Sequence, residues 1–126
     1  MITFWQQEKG KLVQRSEDEL TPGLNKWVDA RSVTREDIRI LEEDYKIQQE
    51  HILDILDQDE LSRIEREDDY TLIILRLPVF IADNDINYFT IPLGIILYPG
   101  TVITIYWTNY EVLKDITKTT DRKSVV

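Results

Sequence analysis

The feature that most constrains this chain is a run without a single charged residue, from Ile86 to Tyr110. A run of that length can cross a bilayer as a helix. Pro92, Gly94 and the pair Pro99-Gly100 interrupt it, however, while Ile91, Leu93, Ile95 and Leu97 alternate with their neighbours at a period of two. Proline in a helix interior costs about 3 kcal/mol, and Pro-Gly is a turn signal. The run therefore predicts two buried strands joined at Tyr98-Pro99-Gly100-Thr101.

The residues upstream supply partners for these strands. Tyr70 to Leu77 (YTLIILRL) is apolar on both faces apart from Thr71 and Arg76. A strand buried on both sides requires a layer over each face of its sheet. Arg63 to Glu67 (RIERE) reads as a strand with one wet face, and DNDIN, Asp83 to Asn87, as a hairpin turn into the uncharged pair. Nearer the start, strands are expected at Ile2 to Gln6 and Leu12 to Arg15 with a turn at Lys9-Gly10. A polar loop, SEDELTPG, separates them from a strand at KWVDA, Lys26 to Ala30, anchored by Trp27.

Two helices lie between. Thr34 is placed to cap the first, Glu36 and Asp37 put negative charge at the positive end of its dipole, and Val33 can staple onto Ile38. Ile38, Leu41 and Tyr45 then recur at helical spacing. The second helix covers Gln49 to Leu56. A last helix is expected at Tyr110 to Lys118 with Val112, Leu113 and Ile116 inward. The sum is an α/β domain with a mixed sheet, and 126 residues leave room for one domain with one core.

Composition removes several functions. With 24 Asp and Glu against 15 Lys and Arg the net charge is −9, which argues against binding nucleic acid or lying on anionic lipid. No cysteine is present, so disulfides and thiolate metal sites are excluded, and a single histidine, His51, removes motifs that need several. Oxygen donors remain, which suit hard cations such as Mg2+. The four glycines form no phosphate cradle, and no serine sits in a nucleophile elbow, so an enzyme is not expected. DNDIN fails as a calcium loop, because Tyr88 stands where glycine is needed and Gly94 where a bidentate glutamate belongs.

The second helix carries the remaining candidate. At about 100° per residue, Ile52, Ile55 and Leu56 share one face while Glu50, Asp54 and Asp57 share the opposite one. Like charges at spacings of three and four cost a few tenths of a kcal/mol per pair, a cost that a bound cation or a facing basic group removes. Helical geometry leaves both a solvated stripe and a cation site open. His51, at the flank of the apolar face, reads as a packed or half-exposed side chain rather than a ligand.

From Trp27 to about Trp107 the chain resembles the N-terminal cytosolic domain of the CorA family of divalent-cation transporters. The likeness is carried in order by KWVDA, TREDIRILEEDYKI, the DIL at Asp54-Ile55-Leu56, RIEREDDYTLIILRLP and IPLGIILYPGTVITIY. It implies a three-layer α/β/α domain with a mixed, largely antiparallel sheet, below a homopentameric Mg2+ channel on the cytoplasmic side of the cell membrane. A stalk helix, two transmembrane helices and a Gly-Met-Asn signature follow in that family. Their absence here implies that residues 1–126 are a single regulatory domain, a fragment expected to be a monomer or weak dimer alone. By position Asp54 matches the family aspartate that helps bind a regulatory cation between subunits, with its partner on the neighbouring stalk. Asp57 and Glu50 are then outer-shell support. The glutamate that often precedes the aspartate, and contributes to a second cation site, is Leu53 here. Relatives handle Mg2+, Co2+, Ni2+ or Zn2+, so the preferred ion is not implied. The competing reading is a stand-alone acidic α/β domain that binds a basic protein.

Overall fold

A computed structural model describes residues 1–57, 59–80 and 88–106. Its strands are β1 (Ile2–Glu8), β2 (Lys11–Arg15), β3 (Lys26–Arg31), β4 (Arg63–Arg66), β5 (Thr71–Phe80), β6 (Tyr88–Tyr98) and β7 (Thr101–Tyr106). Helices α1 (Arg35–Glu43) and α2 (Gln49–Leu56) fall between β3 and β4. The uncharged run is, as its period of two requires, the β6–β7 hairpin, turning at Pro99-Gly100 with Gly100 at φ +74°. The expected turn at DNDIN and helix at Tyr110 to Lys118 lie outside the described residues.

All seven strands join one sheet in the order β2-β1-β3-β7-β6-β5-β4. Every neighbouring pair is antiparallel except β3 and β7, which run parallel from Lys26↔Thr101 to Arg31↔Tyr106. A parallel pair needs a long crossover. Here the crossover is α1, α2 and the β4–β7 meander, so the chain returns to the middle of the sheet beside β3.

Register sorts the side chains onto two faces. On one, Val28 and Ala30 meet Ile103 and Ile105, which continue into Ile96, Leu72 and Ile74. Leu41 from α1, Ile47 from the connection, and Ile52 and Ile55 from α2 close this core. The helices stand there because their apolar stripes match it. Gly94 sets the approach of α2: a Cβ at that position would lie 2.3, 2.5 and 2.8 Å from Ile55 Cδ1, Cγ1 and Cγ2.

α1 starts as its sequence demands. Thr34 Oγ1 accepts from the Asp37 backbone N–H at 3.1 Å while Asp37 Oδ2 accepts from the Thr34 N–H at 3.0 Å, a reciprocal capping box. The helix stops at Glu43, short of Tyr45, because Lys46 turns the chain at φ +59°. Tyr45 still packs on the core, and Tyr98 Oη donates to its carbonyl.

The opposite face carries Trp5, Trp27, Ile73, Leu75, Leu77, Ile91, Leu93, Ile95, Leu97 and Val102. Trp5 and Trp27 stack at 5.8 Å, and Trp27 Nε1 donates to Thr104 Oγ1, which donates to the buried Asp29. Leu75, Leu77, Leu97 and Val102 are exposed. Among the described residues, helices cover only one face of the sheet, so the architecture on view is a seven-stranded sheet with two helices. None of the described helices is long and apolar enough to cross a membrane.

Candidate metal centre

α2 presents the candidate acids. Its eight residues bury His51, Ile52 and Ile55 and turn Glu50, Leu53 and Asp54 away from the core. Glu50 is exposed in the first turn, and Asp54 is partly exposed in the last. Asp57 lies one residue past the helix end with extended backbone, where its Oδ1 accepts from the Asp59 N–H at 2.9 Å. The three acids therefore do not form one unbroken helical row. Glu50 and Asp54 share the helix surface, while Asp57 closes its C-terminus.

Asp54 has a partner from the sheet. Arg63, the first residue of β4, points to the helix-covered side and donates from Nη2 to Asp54 Oδ2 at 2.6 Å. Its Nη1 is bonded to Glu60, and its Nε lies 2.9 Å from Glu65 Oε1 as an ion pair out of line for a hydrogen bond. One guanidinium thus faces three carboxylates. Its hydrogen bond to Asp54, with the charges of Glu60 and Glu65, holds its pKa above the ordinary arginine value. With both side chains about a third exposed, solvent screens the Asp54–Arg63 pair to roughly 0.5–1 kcal/mol. This is the facing basic group that removes like-charge repulsion along α2. A reading of helix faces missed it, because Arg63 is nine residues away on another element. The one available signal was the cation opening RIERE.

His51 is buried at 2% exposure, deeper than a half-exposed flank. Its Nδ1 lies 2.6 Å from Tyr70 Oη, and its Nε2 lies 3.0 Å from Glu65 Oε2 and 3.5 Å from Glu67 Oε1. Tyr70 Oη in turn accepts from the Gln48 backbone N–H at 3.1 Å. Leu53, the departure from the family pattern, is exposed.

Asp54, about a third exposed on a helix packed on the core, can supply one ligand. It fits Mg2+, which keeps several waters and takes one or two carboxylates. Around the guanidinium beside Asp54 stand two further carboxylates of this chain, Glu60 and Glu65.

The pattern of a family described as CorA-like Mg2+ transporter protein matches residues 24–124. Among solved structures, the chain is similar to the complete CorA magnesium transporter from Methanocaldococcus jannaschii. Identity is 21%, over 98% of this chain and 38% of that one, with a TM-score of 0.68. It is similar to the soluble domain of CorA from the same organism, at 23% identity over 98% of this chain and 47% of that one, also with a TM-score of 0.68. A third likeness is to the ZntB cytoplasmic domain from Vibrio parahaemolyticus RIMD 2210633, at 17% identity, 89% and 46% coverage and a TM-score of 0.62. At these identities the likeness shows the fold, and the chain spans less than half the length of each of these structures. Curated proteins give no match.

Proposed function

The chain belongs to the family of CorA-like Mg2+ transporter proteins, a family of transporters rather than enzymes, and from that premise we propose that it is the cytosolic cation-sensing domain of a divalent-cation channel. Asp54 supplies this chain's ligand to a regulatory Mg2+ held between neighbouring subunits of a homopentamer, with Asp57 and Glu50 as outer-shell support. The placement of Asp54 carries the reading. It stands about a third exposed on a helix fixed to the core, in electrostatic contact with the Arg63 cation.

The mechanism is an exchange of cations. When Mg2+ is abundant, an ion that keeps much of its water bridges Asp54 and an acid of the next subunit, and the closed assembly is stabilised by mass action. When Mg2+ falls, Arg63 takes Asp54 back at 2.6 Å. The bridge is then lost and the subunits are free to shift. Because Arg63 also neutralises Asp54 in the ion-free state, the switch rests less on bare repulsion than on competition between a guanidinium and a divalent ion.

The exposed apolar face of the sheet supports the three-layer α/β/α arrangement. The transmembrane and stalk segments of a longer protein are the remaining partners, and the domain faces the cytoplasm. Residues 1–126 alone remain a monomer or weak dimer. In the complete transporter, Asp54→Asn abolishes Mg2+-dependent closure and Mg2+-dependent protection from protease; unchanged gating and protection would refute the assignment.

A further inference from the structure

A second constellation lies beside Asp54 and shares only Arg63 with it. His51 sits in the first turn of α2 and is turned inward onto β4. Glu65 and Glu67 are two residues apart along β4 and its extension, so the period of a strand brings both carboxylates to the same side, beneath the imidazole. The geometry points to His51 Nε2, Glu65 and Glu67 as a three-ligand site, within one chain, for a divalent transition metal of the Zn2+ or Co2+ class.

The spacing suits such an ion. One ligand atom from each residue lies within 4.8 Å of the other two. Nε2 is 3.0 Å from Glu65 Oε2 and 3.5 Å from Glu67 Oε1. Ligand atoms bound tetrahedrally at about 2.1 Å are roughly 3.4 Å apart; the 3.5 Å separation matches this, and the 3.0 Å one, a hydrogen bond without metal, need lengthen by only about 0.4 Å. Glu65 Oε1 faces Arg63, which leaves Oε2 for the metal.

Burial is graded as an entry path requires. The imidazole is inside, while the Glu65 and Glu67 side chains are 38% and 31% exposed, so the remaining coordination position faces water. Two carboxylates and a neutral imidazole balance the charge of a divalent ion.

The far side of the ring is also prepared. A metal-bound histidine needs its other nitrogen fixed by an oxygen partner, and Tyr70 Oη lies 2.6 Å from Nδ1. Without metal, the tautomer with its proton on Nε2 can donate to Glu65 and accept at Nδ1 from the Tyr70 hydroxyl. With metal on Nε2, that proton leaves to solvent, a proton occupies Nδ1, and Tyr70 turns its hydroxyl to accept. Nitrogen selects against Mg2+, which prefers an all-oxygen shell. The site therefore answers to a different ion from the one proposed for Asp54.

Titration of the 126-residue chain with Co2+ in excess Mg2+ tests this. One Co2+ binds per chain with the intense visible bands of a tetrahedral ion, and with diamagnetic Zn2+ in its place the imidazole nitrogen resonances move at Nε2. His51 is the sole histidine, so those resonances need no assignment. Glu65→Gln and Glu67→Gln each weaken binding roughly tenfold or more, and Glu36→Gln on α1 leaves it unchanged. An unmoved imidazole, equal competition by Mg2+, or wild-type affinity in the Glu65→Gln/Glu67→Gln double variant would overturn the assignment.

Discussion

Replacing Gly94 by alanine tests how α2, and with it Asp54 and His51, is held over the sheet. An alanine Cβ would lie within 3.0 Å of three Ile55 atoms, Cδ1, Cγ1 and Cγ2. Since both γ carbons are included, rotation of Ile55 about its first side-chain bond exchanges one clash for another. The helix itself must lift. Overpacking of this kind costs about 1–3 kcal/mol, against which alanine recovers roughly 0.5–1 kcal/mol of the backbone entropy that glycine loses in a strand. The expected net loss is about 1 kcal/mol and at most about 2.5 kcal/mol, or a fall in Tm of up to roughly 10 °C for a domain of this size. A double-mutant cycle with Ile55→Ala isolates the cause. Ile55→Ala alone costs about 2–5 kcal/mol through the cavity it leaves. It also removes all three atoms that Cβ would meet, so in its background Gly94→Ala should cost nothing or stabilise slightly. Thermal and urea unfolding of the four proteins decide the matter. Additive costs in the cycle would show that the close approach does not fix the helix.

Two further outcomes follow from the charges. The Glu8 carboxylate, hydrogen-bonded chiefly by Arg15 and then by Gln6, is held down to about 2 from an ordinary 4.5. Its folded-state pKa is depressed, so the stability it lends is complete above about 4.5 and is lost as pH falls towards 2; NMR titration should place its midpoint near 2, and Arg15→Gln should return it towards 4.5. Arg63→Gln removes the competitor for Asp54, so the complete transporter should close at a Mg2+ concentration lower by up to about fivefold, the equivalent of roughly 1 kcal/mol for a screened pair; closure requiring more Mg2+ would contradict the exchange.

Local chemistry made much of the fold legible. Glycine, proline and a period of two defined the β6–β7 hairpin, and α2 spans the residues its apolar spacing marked, Gln49 to Leu56. The end of α1 was less visible. Ile38, Leu41 and Tyr45 keep helical spacing, but Lys46 takes a left-handed backbone with no glycine to announce it. The parallel β3–β7 pairing left no local trace, since it joins segments some seventy residues apart. The same distinction divides the candidate site. Asp54 could be chosen from helix geometry and family likeness, whereas its link to Arg63, and the enclosure of His51 by Tyr70, Glu65 and Glu67, exist only after β4 and β5 pair beneath α2.

The central claim is that Asp54 is half of a cation site completed by another subunit. Anomalous diffraction from crystals of the complete assembly grown with Mn2+ in place of Mg2+ tests it most directly. A peak at roughly 2.0–2.3 Å from the Asp54 carboxylate, at a subunit boundary and with Arg63 turned away, is the predicted result. Asp54 still paired with Arg63, and every anomalous peak elsewhere, would contradict it.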